Sequence, residues 1–255
     1  MELVRGLDNF RTHFADFPDR YVLIGGTACA LAMDEAGLNF RATKDLDIVL
    51  LIEALDVAFV KAFWKFVEQG QYDNRQKSTG DRQYYRFYSP SDKKFPEMLE
   101  LFSRRPDILE VDDNSGLTPI PVDDEVSSLS AILMDEDYYA LIHAGKRDID
   151  GLPVVGAEHL IPLKAKAWLD LLSRKERGER IDSKDVKKHK NDVFRLYQLL
   201  TTTTRIDLPT GIVSHLAEFL SRLEKDGDID LQNLGIKSKT LDDAIEELRA
   251  IYQVA

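Results

Sequence analysis

The chain has 255 residues, and 34 Lys and Arg residues against 45 Asp and Glu residues give a formal net charge of −11. This acidic balance argues against a protein that coats nucleic acid with its whole surface, because such surfaces neutralise phosphates with clustered Lys and Arg. A hydrophobic content of 44% is typical of a globular protein, and a single cysteine, Cys29, suits the reducing cytoplasm. No apolar run approaches the ~18 residues of a membrane span, so we predict a cytoplasmic protein with no membrane partner.

The first predicted elements are a strand, a glycine turn and a helix. Residues 21–24 are a short apolar run that ends at Gly25 and Gly26, a pattern typical of a buried strand entering a tight turn. The ten residues that follow favour a helix, with Thr27 at its N-cap and Gly37 just after its end.

The remaining predicted elements divide the chain into two parts. Strands are predicted at residues 45–52, 84–88, 97–102, 117–122, 130–134 and 152–155, with an amphipathic helix over about residues 54–69. From Pro162 onward the pattern is helical, with helices over residues 163–174, 183–200, 210–224 and 241–253. We therefore predict an α/β domain over residues 1–155 and a helical domain over residues 156–255 that packs on it, with a cleft at their boundary.

Two aspartates begin the second strand. Side chains alternate between the faces of a strand, so Asp45 and Asp47 project to the same side, a few ångströms apart. Like charges at that separation repel unless a cation lies beside them, and oxygen-only ligands suit Mg²⁺ or Mn²⁺ better than Zn²⁺. Glu100 lies among core-type residues of the strand over residues 97–102, and we predict it as the third ligand if the two strands are neighbours.

The glycine turn predicts a phosphate site. Gly25 and Gly26 allow a ligand to approach the backbone, and the helix that starts near Thr27 directs its free N–H groups and positive dipole end to the same place. An NTP held there, with its phosphates bridged by metal ions to Asp45 and Asp47, would match two-metal phosphoryl transfer.

These motifs resemble those of a known family. Residues 23–28, LIGGTA, and residues 41–48, RATKDLDI, are similar to the hGG…R-x-T-x-DLD signature of the DNA polymerase β-like nucleotidyltransferase superfamily. Within it the chain is most similar to the AbiEii-type branch, known as the toxin half of type IV toxin–antitoxin pairs. The resemblance implies a nucleotidyltransferase-type mixed sheet flanked by helices, followed by a helical C-terminal domain. It also implies transfer of a nucleoside monophosphate from an NTP to an acceptor hydroxyl, with release of pyrophosphate.

The resemblance also implies roles for individual residues. It assigns nucleotide binding to the glycine-turn residues and to Arg41 and Thr43, and metal ligation to Asp45, Asp47 and Glu100. In the helical region, residues 161–167, IPLKAKA, are similar to a segment with a functional lysine, here Lys164, with Lys166 as the alternative. Residues 191–196, NDVFRL, resemble a later segment whose acid corresponds to Asp192, and Asp185 competes for that role. The implied partners are an RNA acceptor such as tRNA, or a protein acceptor, and a cognate antitoxin.

Two further interpretations stay open beside the enzyme. The segment from Arg174 to Lys190 has eight Lys and Arg residues against four acids, a local net charge of +4. This segment is interpreted either as a binding site for an NTP or RNA or as a solvated helix face with internal ion pairs. A binding site of this kind would also suit a nucleic-acid-binding regulator. The alternative to catalysis is an inactive module with the same fold that binds NTP or a protein partner.

Overall fold

The computed structural model describes residues 4–74, 85–104, 117–119, 130–226 and 229–254. Eight strands lie in this part of the chain: β1 Tyr21–Ile24, β2 Asp45–Leu50, β3 Arg86–Tyr88, β4 Met98–Ser103, β5 Leu117–Pro119, β6 Ser130–Leu133, β7 Lys146–Ile149 and β8 Leu152–Val155. The α-helices there are α1 Leu7–His13, α2 Gly25–Glu35, α3 Val57–Gly70, α4 Glu136–Ala144, α5 Ala157–Glu176, α6 Ser183–Tyr197, α7 Thr210–Asp226 and α8 Leu241–Tyr252. A short 3₁₀ helix covers Gln232–Leu234. Among the described helices, none has the length and apolar character needed to cross a membrane.

The strands form one mixed sheet in the order β5-β6-β4-β2-β1-β8-β7, with β3 pairing against β4. The pairs β1–β2, β3–β4, β5–β6 and β7–β8 are antiparallel, whereas β1–β8, β2–β4 and β4–β6 are parallel. The predicted α/β class, with a mixed sheet flanked by helices and followed by a helical C-terminal region, is confirmed. The predicted neighbourhood of the strands that carry the aspartates and Glu100 is also confirmed, because β2 lies directly beside β4.

The strand, turn and helix around the glycine pair are present, but the predicted cap is wrong. α2 begins at Gly25, two residues before the predicted N-cap Thr27, and Gly25 takes a left-handed φ of +68° that glycine adopts without steric cost. The Thr27 hydroxyl is buried and donates to the Asp45 carbonyl at 2.8 Å, which ties the helix start to β2. Gly37 follows the helix with φ +69°, as predicted for a helix end.

Four elements, namely α1, α4, β7 and the 3₁₀ helix at Gln232–Leu234, are present that the sequence patterns did not predict. In α4 the acidic residues are part of the helix start: Asp135 is the N-cap, its carboxylate accepting from the backbone N–H groups of Asp137 and Tyr138. Acids at a helix N-terminus are favoured by the helix dipole, so Asp135, Glu136 and Asp137 together stabilise the start of α4. Of the predicted strand over residues 117–122, the last three residues lie outside the described part of the chain.

Aromatic packing fixes α1 and α3 against the sheet. Phe10 meets Tyr21 of β1 and Phe66 of α3 edge to face, with ring centroids 5.5 and 5.6 Å apart. The face of α3 predicted to be apolar, including Phe59, Phe63 and Phe66, is buried. Large buried rings contribute both apolar area and specific ring geometry, so this cluster anchors one side of the sheet.

The chain folds into two compact units. The first contains residues 1–31 and 41–155, and the second, the helical unit, contains residues 32–40 and 156–255. Inside the helical unit, Trp168 of α5 meets Phe219 of α7 edge to face at 5.3 Å. The helices of this unit correspond to the predicted ones, but α5 begins at Ala157, six residues early, and contains Pro162, and α6 ends at Tyr197, three residues early.

The proline inside α5 is accommodated by a tyrosine from the last helix. Pro162 has no N–H to donate to the carbonyl of Glu158, one turn before it. The Tyr252 hydroxyl donates to that carbonyl at 2.6 Å instead. Burial raises the pKa of Tyr252 well above its ordinary value, so the hydroxyl keeps its proton and remains a donor.

Candidate active site

The carboxylate of Asp47 lies against the glycine turn. Asp47 pairs with Ile24, the last residue of β1, and is half-buried like Asp45. A Cβ added to Gly25 would lie 1.7 Å from the Asp47 Oδ2 atom. A side chain at position 25 would therefore collide with this carboxylate, and glycine is required there for space as well as for its positive φ.

The second glycine lies beneath two residues of the R-x-T-x-D motif. A Cβ on Gly26 would come within 2.7 Å of the Thr43 hydroxyl and 3.5 Å of an Arg41 guanidinium nitrogen. The structure thus brings Arg41, Thr43 and Asp47 together at the glycine pair, around the first turn of α2. Backbone N–H groups in the first turn of a helix have no intrahelical partner and attract anions.

Glu100 is in the predicted position, but its side chain has a partner that the sequence did not predict. In the register of the sheet, Glu100 lies directly opposite Asp47 on β2 and directly opposite Arg86 on β3. The Arg86 Nε donates to the Glu100 Oε1 at 2.6 Å, and the Arg86 Nη2 donates to the same oxygen. Alternation along the tyrosine-rich segment at residues 84–88 could not reveal this pair, because it depends on the register between β3 and β4.

The three predicted metal ligands do not form one cluster in this structure. Within the described ranges, no group of three His, Cys, Asp or Glu side chains lies close enough to hold a metal ion. Asp45 and Asp47 on one strand face still provide the oxygen donors that Mg²⁺ or Mn²⁺ takes, and the glycine turn leaves room for the Asp47 carboxylate. The residues therefore fit a divalent cation held by this aspartate pair, while the carboxylate of Glu100 is bound to Arg86.

The amino-terminal segment braces the motif, which no sequence pattern predicted. Val4 forms a parallel bridge with Thr43, and Arg5 forms an ion pair with Glu97 at 2.5 Å. A Cβ on Gly6 would lie 2.3 Å from the backbone of Phe95. These contacts hold the segment before β4 and the Thr43 backbone together; in the sequence, residues 4–6 show no periodic signal that would point to them.

In the helical unit the predicted lysine and acid meet. The Lys164 Nζ lies 3.4 Å from the Asp192 Oδ2, and their side chains are 5% and 0% exposed. Arg195 donates to the other Asp192 oxygen at 3.2 Å. The alternatives are at the surface: Asp185 is exposed and pairs with Lys188, and Lys166 pairs with Asp170 on the same helix. Of the two candidate acids, Asp192 is therefore the one beside Lys164.

The basic segment between Arg174 and Lys190 contains several internal ion pairs. Glu179 accepts from Arg174 at 2.7 Å and from Arg177 at 3.4 Å, and these bonds, the Arg174 one foremost, lower the pKa of its carboxyl. Glu176 pairs with Arg222 of α7. The observed pairs favour the solvated-face interpretation over a dedicated anion site.

Comparison with known proteins gives distant structural matches. No protein-family model and no curated protein matches the chain. Among solved structures, it is similar to JHP933 from Helicobacter pylori, with 18% identity and a TM-score of 0.43 over 97% of this chain and 88% of that chain. It is also similar to a candidate nucleotidyltransferase from H. pylori, with 17% identity and a TM-score of 0.39 over 97% of this chain and 90% of that one.

Proposed function

We propose that this chain is a metal-dependent nucleotidyltransferase that moves a nucleoside monophosphate from an NTP to an acceptor hydroxyl. The observation that carries the proposal is the convergence at Gly25 and Gly26: the Asp47 carboxylate, the Thr43 hydroxyl and the Arg41 guanidinium all contact the positions that Cβ atoms would fill. A triphosphate with its metal ions would fit this place, which combines a turn without side chains, the start of a helix, the positive charge of Arg41 and carboxylates.

The glycine turn would hold the phosphates. The backbone N–H groups of Gly26 and Thr27 lie in the first turn of α2, whereas the Thr27 hydroxyl is bonded to the Asp45 carbonyl. Arg41 supplies a fixed positive charge beside them, and Thr43 a hydroxyl that can donate to a phosphate oxygen. These groups would fix the α-phosphorus for in-line attack.

Asp45 and Asp47 would hold the divalent cation, Mg²⁺ or Mn²⁺, with phosphate oxygens as further ligands. When bound, the cation would neutralise charge that develops on the transferring phosphoryl group. The acceptor oxygen bonds to the α-phosphorus, the bond to the β-phosphate oxygen breaks, and pyrophosphate leaves. Glu100 would take the proton of the acceptor hydroxyl once its carboxylate is released from Arg86, and could also serve as a third ligand.

Other assignments rest on the family resemblance alone. These are the catalytic roles of Lys164 and Asp192, an RNA (tRNA) or protein acceptor, and an AbiEii-like toxin with a cognate antitoxin. Arg195 and Lys164 both contact the buried Asp192, so the presence of these residues also has a structural explanation that needs no catalytic role. An adjacent antitoxin reading frame would support the toxin assignment.

The test is nucleotide transfer by the full chain. The protein is incubated with Mg²⁺, each NTP labelled at the α-phosphate, and total cellular RNA and protein; pyrophosphate release and the labelled fraction are measured. Asp45→Asn and Asp47→Asn should each lower transfer by about 1,000-fold, because metal-held charge stabilisation is worth several kcal/mol. Asp16→Asn, the same change at an exposed carboxylate of the first unit, is the control and should keep full activity.

Two outcomes would contradict the proposal, the first for the residues of the site and the second for the activity. Full transfer by Asp47→Asn would remove the carboxylate from the mechanism. NTP binding without pyrophosphate release, across all acceptor fractions, would favour the alternative of an inactive binding module with the same site.

A further inference from the structure

A row of charged side chains crosses three neighbouring strands. Asp47 on β2 pairs with Glu100 on β4, and Glu100 pairs with Arg86 on β3. Directly paired residues project to the same face of a sheet, with Cβ atoms about 5 Å apart. Glu100 therefore lies between an acid that we assign to the cation and an arginine that neutralises it.

The arginine binds one oxygen of the carboxylate. Two nitrogens of Arg86, Nε and Nη2, donate hydrogen bonds to the Glu100 Oε1. The Glu100 side chain is 13% exposed and that of Arg86 is 41% exposed. A mostly buried carboxylate needs a positive partner, and the exposed guanidinium can withdraw toward solvent without breaking the core.

We propose that Arg86 is the internal counter-ion of Glu100 and competes with the divalent cation for it, so that Arg86 sets the cation affinity of the site. This inference rests on the proposed function for the identity of the cation. Arg86 leaves Glu100 only when a stronger cation takes its place, which couples completion of the three-carboxylate set to loading of the site.

The competition explains why the sequence prediction and the structure differ. Three carboxylates on adjacent strands would repel one another in the absence of a cation. Arg86 relieves this repulsion in the structure by taking Glu100 out of the set. The site is then stable in two arrangements, one closed by the guanidinium and one closed by the divalent cation.

Cation binding is measured directly, without nucleotide. The full chain is titrated with Mn²⁺, and free Mn²⁺ is followed by electron paramagnetic resonance. Arg86→Ala should bind Mn²⁺ about tenfold more tightly, since a neighbouring positive charge and a competitor are both removed. Arg86→Lys retains the charge and should stay closer to the wild type than to Arg86→Ala.

Two further variants separate this role from general charge effects. Arg20→Ala removes an arginine that pairs with Asp56 in the same unit and should leave Mn²⁺ affinity unchanged. Glu100→Gln should weaken Mn²⁺ binding, and adding Arg86→Ala to it should give much less than the tenfold gain. If Arg86→Ala fails to fold, as judged by circular dichroism, the neutral Arg86→Gln replaces it with the same expected direction.

The result that overturns the inference is unchanged or weaker Mn²⁺ binding in the neutral Arg86 variant. No Mn²⁺ binding by either the wild type or that variant would also overturn it. The proposed function is tested separately by pyrophosphate release. Transfer activity with unaltered Mn²⁺ affinity in the variant would contradict only the role of Arg86, and tighter Mn²⁺ binding without transfer would contradict only the enzyme.

Discussion

The first unit and the helical unit both place carboxylates beside cationic side chains, yet the two arrangements differ in burial. In the first unit Asp45, Asp47 and Arg41 are half-buried, and Asp47 and Arg41 lie beside a turn made of two glycines. In the helical unit Asp192 is fully buried between Lys164 and Arg195. Half-buried charges can exchange partners at low cost, whereas a buried pair must stay intact. The first arrangement is therefore suited to a ligand and the second to holding the fold.

The largest expected effect is on the buried pair. Asp192→Ala should lower the free energy of unfolding by about 3 kcal/mol or more, because it leaves the lysine charge buried without its carboxylate. Asp185→Ala, the same change on the exposed face of the same helix, should cost less than about 1 kcal/mol. Urea unfolding of the two variants measures the difference. Equal losses would show that the burial of Asp192 does not control its contribution, and would break the contrast between the two units.

The glycine turn provides the next test. Gly25→Ala and Gly151→Ala both put alanine at a positive φ, of +68° and +76°, and this backbone conformation should lower the stability of each by about 1–2 kcal/mol, with a further loss in Gly25→Ala from the collision with Asp47. A Cβ at Gly151 meets nothing within 4 Å, whereas at Gly25 it would displace the Asp47 carboxylate. Only Gly25→Ala should therefore lose NTP binding and transfer, measured at a temperature where both variants are folded. Loss of both activities in Gly151→Ala would mean that they report stability alone.

The smallest expected effect concerns a partly exposed ion pair of the helical unit. Lys239 donates to Glu247 at 2.5 Å, and this bond, followed by that from Tyr197, holds the pKa of Glu247 below its ordinary value. Because the folded pKa is lowered, the stabilisation is complete above the unfolded pKa of about 4.3 and is lost as the pH falls through the folded value. The magnitude should stay below about 1 kcal/mol, since both side chains are about one-third exposed.

The measurement compares melting temperatures of the wild type and Glu247→Gln. The wild type should be the more stable at pH 7, and the difference should shrink between pH 5 and pH 3. A difference that grows on acidification would reverse the sign of the linkage. A large difference in melting temperature at pH 7 would show that this partly exposed pair contributes as much stability as the buried pair of Lys164 and Asp192.

Local patterns in the sequence were sufficient for most of the architecture. Apolar runs and helical periodicity predicted β1, β2 and β4 and the helices after Pro162, because these signals depend on neighbours along the chain. The start of α2 was placed two residues late, since a glycine at positive φ can open a helix and propensity favours threonine as a cap. No local pattern predicted α4, although its first turn contains acids of the kind that favour a helix start.

The sequence by itself determined which residues could form a site: a glycine pair after a strand, two aspartates at alternate positions on the next, and an acid within a third strand. Only the tertiary structure decided how these residues meet. The register of β4 places Glu100 beside Asp47, the register of β3 places Arg86 on Glu100, and Val4 braces Thr43. Strand register depends on side chains far apart in the chain, so no local pattern contains it. The arrangement of Arg86 and the three carboxylates therefore belongs to the fold.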